Sequence, residues 1–519
     1  MKLWKKVLIG IGAVLVVLAI AGAVVFAQLR ARFAGPEISE VTAADSATVT
    51  TTAGTLRGGE SDGVFIFKGV RYATAPRRFE PAQPVEPWEG VVDATEYGPT
   101  SPQGAILGMG ASGNGDGTSN DCQTVNIWTP GLDDEARPIM VWLHGGGFST
   151  GSGNDAQYDG EALARSGNVV VVAVNHRLNL YGHLDLSAYG NQYRYSGNVG
   201  VMDIQMALEW LRDNAASFGG DPDNITVFGQ SGGGAKVIAL ASSPYAADLI
   251  SKGIVQSGAT ETMGASFATA EQSARLTEHL LENLGISPDN VEALQTVSDA
   301  DLQAAAATAL QQTADEFQIP APLTDGYQME WGPVVDGDYL PTQPVLEDGF
   351  AASAHDIPLM IGSNLNEWTS FAGGGPEATE AVTSAFVAAY PNESPSEASQ
   401  VDMLLRLPLL KIMAHKADQG GAPVYAYVFT YDDDMGGAYH GAEIPFVFAH
   451  ATSPQPLATQ MWQAWVSFAR DGVPSADGLP TWEPYTRDGG ATMILDTQPE
   501  LVYGHDVELI STVAPDYAW

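Results

Sequence analysis

Short apolar runs alternate with helical patterns through the middle of the chain. Apolar runs typical of buried strands lie at 138–143, 168–174, 225–228, 253–256, 358–362 and 424–430. Between them, residues 203–214 and 233–241 show the spacing of helices. Because such alternation gives parallel strands covered by helices, the pattern predicts an α/β fold with a mostly parallel central sheet flanked by helices. Two regions rich in Ala and Leu, 265–315 and 377–420, are predicted to form helical cap regions over the sheet edge.

The start of the chain has a different pattern. Lys2, Lys5 and Lys6 precede an uncharged apolar run at 7–27, as long as the ~20 residues that a helix needs to cross a bilayer. The apolar part of a cleaved signal peptide is usually shorter, ~7–15 residues. The run therefore favours an uncleaved membrane anchor, with a cleaved signal as the alternative. Either one predicts a protein that is membrane-anchored or exported, with its folded part on the periplasmic or extracellular side.

This division suggests the domain organisation. Residues 1–27 are the anchor or signal segment, 28–45 are a tether, and 46–519 form one folded domain. With 62 Asp and Glu against 23 Lys and Arg, the formal net charge is −39. Such a surface repels nucleic acid, so no nucleic-acid partner is expected. Cys122 is the single cysteine of the chain, which excludes an intramolecular disulfide and a cysteine metal cluster.

The clearest catalytic signal is the segment GQSGG at 229–233. It follows the strand predicted at 225–228 and opens the next helix, which is the setting of a nucleophile elbow. In such a tight turn, a side chain two positions before or after Ser231 would clash, so glycine is needed at Gly229 and Gly233. The turn would hold the Ser231 hydroxyl at the N-terminus of a helix, where the helix dipole favours developing negative charge. The alternative is an ordinary glycine-rich turn.

A second signal is the segment HGGGF at 144–148, directly after the predicted strand 138–143. Acyl transfer passes through an oxyanion that needs backbone N–H donors, and glycines let the main chain approach it closely. An HGGG motif that precedes a nucleophile elbow is the expected source of those donors. Taken alone, a glycine run is more often a flexible loop.

An activated serine needs a general base, and histidine suits this role at neutral pH. With an elbow of this type, the acid and then the histidine follow the serine along the chain, which removes His144, His176 and His183. His440 follows the predicted strand 424–430 and lies among glycines. Position therefore favours His440 as the base, with a solvated loop histidine as the alternative.

The acid should follow a strand between the serine and the histidine. Glu367 follows the apolar segment 357–364, and Asp336 follows 333–335. Chain position alone does not decide which of these two carboxylates is the acid.

Further motifs resemble the type-B carboxylesterase family, which includes the cholinesterases. The resemblance covers about residues 48–515, and FGQSGGG together with NHRLN resembles its bacterial branch. The matching segments are GVRYA at 69–73, DC at 121–122, NIWTP at 126–130, HGGGF at 144–148, NHRL at 175–178, FGGDP at 218–222, FGQSGGG at 228–234, VQSG at 255–258, PVVDG at 333–337, GSNLNE at 362–367, HGAEIPFVF at 440–448 and WVSFARDG at 465–472.

The resemblance implies an α/β-hydrolase fold and hydrolysis of a small-molecule carboxylic ester, with no metal and no organic cofactor. It implies that Ser231 is the nucleophile, that His440 is the base, and that Glu367 orients His440. Asp336 then becomes a structural turn residue. The implied oxyanion hole consists of the backbone N–H groups of Gly146, Gly147 and Gly232.

The chain departs from the family pattern around the expected active-site entrance. The family pairs the cysteine equivalent to Cys122 with one near the position of Ser101, so that bridge is missing here. The interval from Glu367 to His440 is also short for the family. Because these differences lie where the substrate would enter, the resemblance does not indicate which ester is the natural substrate.

Three other functions remain as alternatives. A non-catalytic adhesion protein of this family would typically lack the serine or the histidine, and both are present here. Transfer of the acyl group to an alcohol or amine would show in product analysis with added alcohol. A lipase would show interfacial activation on long-chain emulsions.

Overall fold

A computed structural model describes most of the chain after the first 34 residues: 35, 36, 38, 40–104, 117–261, 265–322, 324–367, 377–432 and 437–519. The predicted anchor or signal at 1–27 lies outside the described residues, as does part of the tether at 28–45. Within the described residues, no helix has both the length and the apolar character needed to cross a membrane.

An eleven-stranded sheet runs through the described chain. Its strands, in chain order, are β1 (Gly59–Ser61), β2 (Val64–Arg71), β3 (Thr124–Thr129), β4 (Arg137–Leu143), β5 (Val170–Asn175), β6 (Gly220–Gln230), β7 (Lys252–Gln256), β8 (Leu359–Asn364), β9 (Val424–Phe429), β10 (Ala491–Leu495) and β11 (Glu500–Tyr503). Shorter strands form small sheets at Thr48–Thr50, Thr55–Arg57 and Val91–Asp93, at Ala73–Thr74 and Gln83–Pro84, and at Ala268–Thr269 and Val334–Val335.

The strand order in space is β11-β10-β9-β8-β7-β6-β4-β5-β3-β2-β1. All neighbours from β10 to β5 pair in parallel, and the pairs at the two ends are antiparallel. The predicted mostly parallel sheet is therefore confirmed. Since the carboxyl ends of parallel strands lie at one edge, the residues that follow β4, β6, β8 and β9 meet there.

Helices cover both faces of this sheet. The α-helices of the described chain are α1 (Glu161–Gly167), α2 (Asn179–His183), α3 (Val199–Asn214), α4 (Gly232–Ser242), α5 (Ala270–Leu284), α6 (Asp299–Phe317), α7 (Glu380–Ala389), α8 (Arg406–Gln419), α9 (Ile444–Val447), α10 (Leu457–Asp471) and α11 (Val507–Val513). Every residue of β4 is buried, because Val141 packs into the core on one face while Met140 and Trp142 pack on the other. Burial on both faces explains the continuous apolar runs of the sequence.

The two Ala- and Leu-rich regions lie in different places. Helices α5 and α6 pack against each other and share a separate hydrophobic cluster with α2. Helix α8 packs directly on β8 and β9. The first region therefore lies beside the sheet, and the second covers part of one of its faces.

Helix α3 begins at Val199, four residues before the helical pattern predicted from 203. Asp203 therefore lies inside the helix, and its carboxylate forms a fully buried ion pair with Arg177 at 2.7 Å. Asn198 directly precedes the first residue of α3. Its side-chain amide donates to the Val334 carbonyl and accepts the Val334 N–H, and these two bonds fix the start of the helix. A tertiary contact thus sets the N-terminal end of α3, which the helical pattern predicted four residues too late.

Candidate active site

Ser231 occupies a strained turn between β6 and α4. Its backbone angles are φ 58° and ψ −127°, which non-glycine residues rarely adopt. The Ser231 N–H donates to the Gln256 carbonyl at 2.8 Å and ties the turn to the end of β7. A Cβ atom on Gly229 would lie 2.5 Å from the Gly233 carbonyl carbon, and one on Gly233 would clash with the Leu143 carbonyl oxygen. Glycine is thus required on both sides of Ser231.

The glycine loop after β4 lies against this turn. Gly146 and Gly147 have positive φ angles of 85° and 62°. A Cβ atom on Gly232 would lie 2.5 Å from the Gly147 nitrogen, so the two backbones touch. Within the described chain, the N–H groups of Gly146, Gly147 and Gly232 donate no hydrogen bond. Unbonded N–H groups of this kind are available to an incoming anion.

Glu367 and His440 meet at the same edge of the sheet. The His440 Nδ1 atom lies 2.5 Å from Glu367 Oε2, and the His440 backbone N–H donates to the Glu367 carbonyl at 2.8 Å. The other carboxylate oxygen, Oε1, accepts the Asn364 backbone N–H at 2.7 Å. Glu367 is fully buried, and 11% of the His440 side chain is exposed. The loop after β8 therefore presents its carboxylate directly to the loop after β9.

This environment shifts the pKa of His440. Burial lowers the pKa, but the Glu367 carboxylate raises it by charge and by hydrogen bonding, and the net direction is upward. Buried Glu443 and Asp402 act in the same direction through their charges. The bond from Nδ1 to a carboxylate favours the tautomer that carries its proton on Nδ1 and leaves Nε2 unprotonated.

The Nε2 atom of His440 faces Gln230 in this structure. The Gln230 side-chain nitrogen lies 3.1 Å from it. Within the described residues, the Ser231 hydroxyl makes no hydrogen bond to His440. The Gln230 side chain therefore contacts the ring nitrogen that faces away from Glu367. Sequence reasoning missed Gln230, whose position beside Ser231 was the available signal.

A buried polar network that the sequence did not suggest supports these residues. Glu443 accepts hydrogen bonds from the Gln256 side chain at 3.0 Å and from the Asn364 side chain at 2.7 Å. The Trp465 indole N–H donates to the other end of the Gln256 amide at 3.0 Å. Burial raises the pKa of Glu443, and the charge of Glu367 adds to that shift. The network fixes the backbone on both sides of the Glu367–His440 contact.

Asp336 lies elsewhere. One carboxylate oxygen accepts the backbone N–H groups of Asp338 and Leu340, and the other accepts the Asn198 side chain at 3.0 Å. These bonds close a turn after Val334–Val335 and involve no residue of the Ser231 region. The two carboxylates that chain position left open therefore have different partners, and only Glu367 contacts His440.

Metal binding has no support in the described part of the chain, where no group of three or more His, Cys, Asp and Glu side chains could hold an ion. Cys122 is free and fully buried. Burial raises the pKa of its thiol, which keeps it protonated. Ser101, near the position expected for its partner, instead accepts the Leu178 backbone N–H at 3.1 Å.

Comparisons with known proteins show the family to which the chain belongs. A model described as the carboxylesterase family matches residues 45–400 and 392–509. The para-nitrobenzyl esterase of Bacillus subtilis is 34% identical over 482 residues, which cover 87% of this chain and 95% of that protein. The phenmedipham hydrolase of Pseudarthrobacter oxydans is 32% identical over 489 residues, 86% of this chain and 94% of that protein. A solved esterase from Clostridium hathewayi gives a TM-score of 0.81 at 34% identity and covers 93% of this chain and all of its own.

The sheet, its flanking helices and the structural similarity define an α/β-hydrolase that acts on carboxylic esters. More particularly, the chain belongs to the carboxylesterase family, and its bacterial relatives agree with the branch indicated by the motifs.

Proposed function

We propose that this carboxylesterase works through an acyl-enzyme on Ser231, with His440 as general base and Glu367 as its orienting acid. The observation that carries the proposal is the 2.5 Å contact between His440 Nδ1 and Glu367 Oε2, at the sheet edge where Ser231 occupies its strained turn. Serine, base and orienting acid at one site form the arrangement that activates a hydroxyl as a nucleophile.

The first half of the proposed reaction forms the acyl-enzyme. His440 Nε2 exchanges its contact with Gln230 for the Ser231 hydroxyl and takes its proton as Oγ attacks the ester carbonyl carbon. The carbonyl oxygen becomes an oxyanion that accepts hydrogen bonds from the unbonded N–H groups of Gly146, Gly147 and Gly232. When the C–O bond breaks, His440 returns the proton to the leaving alkoxide and the alcohol departs.

The second half releases the acid. Water gives a proton to His440 Nε2 and attacks the acyl carbon, and the same three N–H groups hold the second oxyanion. Collapse of this intermediate returns the proton to Ser231 and frees the carboxylic acid. No step uses a metal or an organic cofactor.

Small esters that contain an aromatic group are the proposed first substrates. The similar esterase from Bacillus subtilis is named for para-nitrobenzyl esters, and the one from Clostridium hathewayi is described as hydrolysing aliphatic aromatic polyesters. A panel of para-nitrophenyl and para-nitrobenzyl esters of increasing acyl length tests this proposal. Release of alcohol and acid in equal amounts supports hydrolysis. New esters formed with added alcohol would favour acyl transfer, and no turnover of any ester would contradict the proposal.

We expect kcat/KM to fall as the pH drops through the pKa of His440, because a protonated imidazole cannot accept the serine proton. Since Glu367 raises that pKa, Glu367→Gln should move the acid limb of the residual activity to lower pH. Rate profiles across the acid and neutral range, measured on one para-nitrophenyl ester, test this shift. Asp336→Asn is the matched control and should keep the wild-type acid limb. An unmoved limb in Glu367→Gln would contradict the assigned pair.

We also propose that residues 1–27 direct export and keep the protein at the membrane. The support is their sequence: lysines followed by an uncharged apolar run of spanning length. Fractionation of native cells and N-terminal sequencing should find the intact chain in the membrane fraction. A soluble exported form that begins near Gln28 would instead establish a cleaved signal, and a cytosolic form would contradict both.

A further inference from the structure

Lys236 is a buried lysine on α4, five residues after Ser231. Its side chain is fully buried, and Nζ donates to the carbonyl oxygens of His144 at 2.9 Å and Gly147 at 2.8 Å. Among the described residues, no carboxylate forms an ion pair with it. Burial lowers its pKa to about 7. An ammonium group without a counter-ion is costly to bury, so its bonds to the loop are its main compensation.

The two carbonyls that Lys236 contacts belong to the first and last residues of the loop 144–147. This loop carries the proposed oxyanion donors. The two middle carbonyls are also held. The Gly145 carbonyl bonds to His144 Nδ1 at 2.8 Å, and the Gly146 carbonyl accepts the Thr150 N–H at 3.0 Å. Burial keeps the pKa of His144 well below its usual value, and the charge of Lys236 lowers it further, so the ring is neutral and donates.

These bonds determine where the N–H groups point. In a planar trans peptide, the N–H lies opposite the carbonyl of the preceding residue. Because the Gly145 and Gly146 carbonyls point to protein donors, the N–H groups of Gly146 and Gly147 point the other way. Lys236 holds both ends of the loop to the helix that begins beside Ser231. The nucleophile and the oxyanion donors are thereby linked through one side chain.

We propose that Lys236 is a positioning residue for ester hydrolysis, which sets the Gly146 and Gly147 N–H groups in register with Ser231. This inference rests on the proposed function of Ser231. Oxyanion donors act only when they are preorganised within hydrogen-bond distance of the developing charge. If the loop moved by a fraction of an ångström, the stabilisation of the transition state would fall more than the affinity for the substrate.

The chain contains a matched control. Lys416 on α8 is also fully buried and donates to two backbone carbonyls, those of Ala354 at 2.8 Å and His355 at 2.7 Å. Burial lowers its pKa to about 8. Its partners belong to no part of the Ser231 region. A lysine that only supports packing should therefore behave like Lys416.

The test compares Lys236→Met with Lys416→Met in the full chain. We expect Lys236→Met to lower kcat by about 10²-fold with little change in KM, near the ~10²–10³ lost with one oxyanion donor. A trifluoromethyl ketone, whose adduct places an oxyanion in the same hole, should bind more weakly by the factor lost in kcat/KM. Hydrogen exchange should quicken in the peptide that covers 144–150. Lys416→Met should lower the melting temperature and leave all three measurements unchanged.

A folded Lys236→Met protein with wild-type kcat and wild-type exchange at 144–150 would overturn the proposal, as would an equal loss of kcat in Lys416→Met. If Lys236→Met does not fold, Lys236→Gln gives the same test, because its shorter amide weakens the tie and keeps a polar group. A wild-type protein inert towards every ester would overturn the proposed function instead. In that case, hydrogen exchange in the peptide that covers 144–150 would still show whether Lys236 holds the loop.

Discussion

Replacing Ser231 by alanine should abolish ester hydrolysis and covalent labelling by an organophosphonate. Without the hydroxyl no acyl-enzyme forms, and loss of the nucleophile from a comparable triad costs on the order of 10⁶ in kcat. The wild-type protein should take up one phosphonate per chain, and peptide mapping by mass spectrometry should find it on Ser231. Substrate binding should persist, because alanine removes only one oxygen atom from the turn.

Ser257 is the matched control for this experiment. It follows β7 as Ser231 follows β6, it is buried, and its φ angle of 51° is also positive. Its backbone N–H donates to the Gly362 carbonyl at 2.8 Å, as that of Ser231 donates to Gln256. Ser257→Ala should therefore keep both activity and label. Label that survives Ser231→Ala and disappears in Ser257→Ala would reject the assigned nucleophile.

Replacing Glu367 by glutamine should lower kcat by up to ~10⁴-fold while the protein stays folded. In the proposed mechanism, the carboxylate holds His440 in the tautomer whose Nε2 accepts a proton, and it stabilises the imidazolium formed during attack. Glutamine keeps the shape and loses the negative charge. Steady-state kinetics, together with a thermal melt to establish folding, measures the effect.

Asp336→Asn separates the role of Glu367 from a general need for hydrogen-bonded carboxylates in the loops that follow strands. Within the described chain, the Asp336 carboxylate bonds to the turn residues Asp338 and Leu340 and to Asn198, so its replacement should preserve most of kcat in the folded protein. Any loss should appear as a lower melting temperature. A well-folded Asp336→Asn protein without activity, beside an active Glu367→Gln protein, would reverse the assignment.

The central part of the fold could be read from the sequence because parallel strands are buried on both faces. The continuous run 138–143 predicted β4 within one residue, and the segment at 225–228 lies inside β6. The helical pattern from 203 missed the start of α3. Hydrophobic periodicity records which residues are buried, but the bonds between Asn198 and Val334 that fix the start of this helix join distant parts of the chain.

The choice of acid shows what chain position could not supply. Glu367 and Asp336 each follow a strand, and the sequence chose between them only through family resemblance. In the structure, Glu367 contacts His440 at 2.5 Å, while Asp336 closes a turn. The direction of a carboxylate depends on the path of the loop that carries it, and local sequence pattern does not encode that path.

The sequence by itself determined the backbone requirements of the site. The tight turn around Ser231 predicts glycine at Gly229 and Gly233, and at Gly229 the clash that requires it is with Gly233 in the same turn. At Gly233 the folded structure adds a clash with the Leu143 carbonyl oxygen at the end of β4. Only the tertiary structure decided the electrostatic surroundings: Gln230 on His440, Glu443 beneath the Glu367–His440 contact, and Lys236 under the glycine loop. Lys236 and His144 are 92 positions apart in the chain. Burial and charge at such a site arise from segments that meet only after folding, so no spacing in the sequence could reveal them.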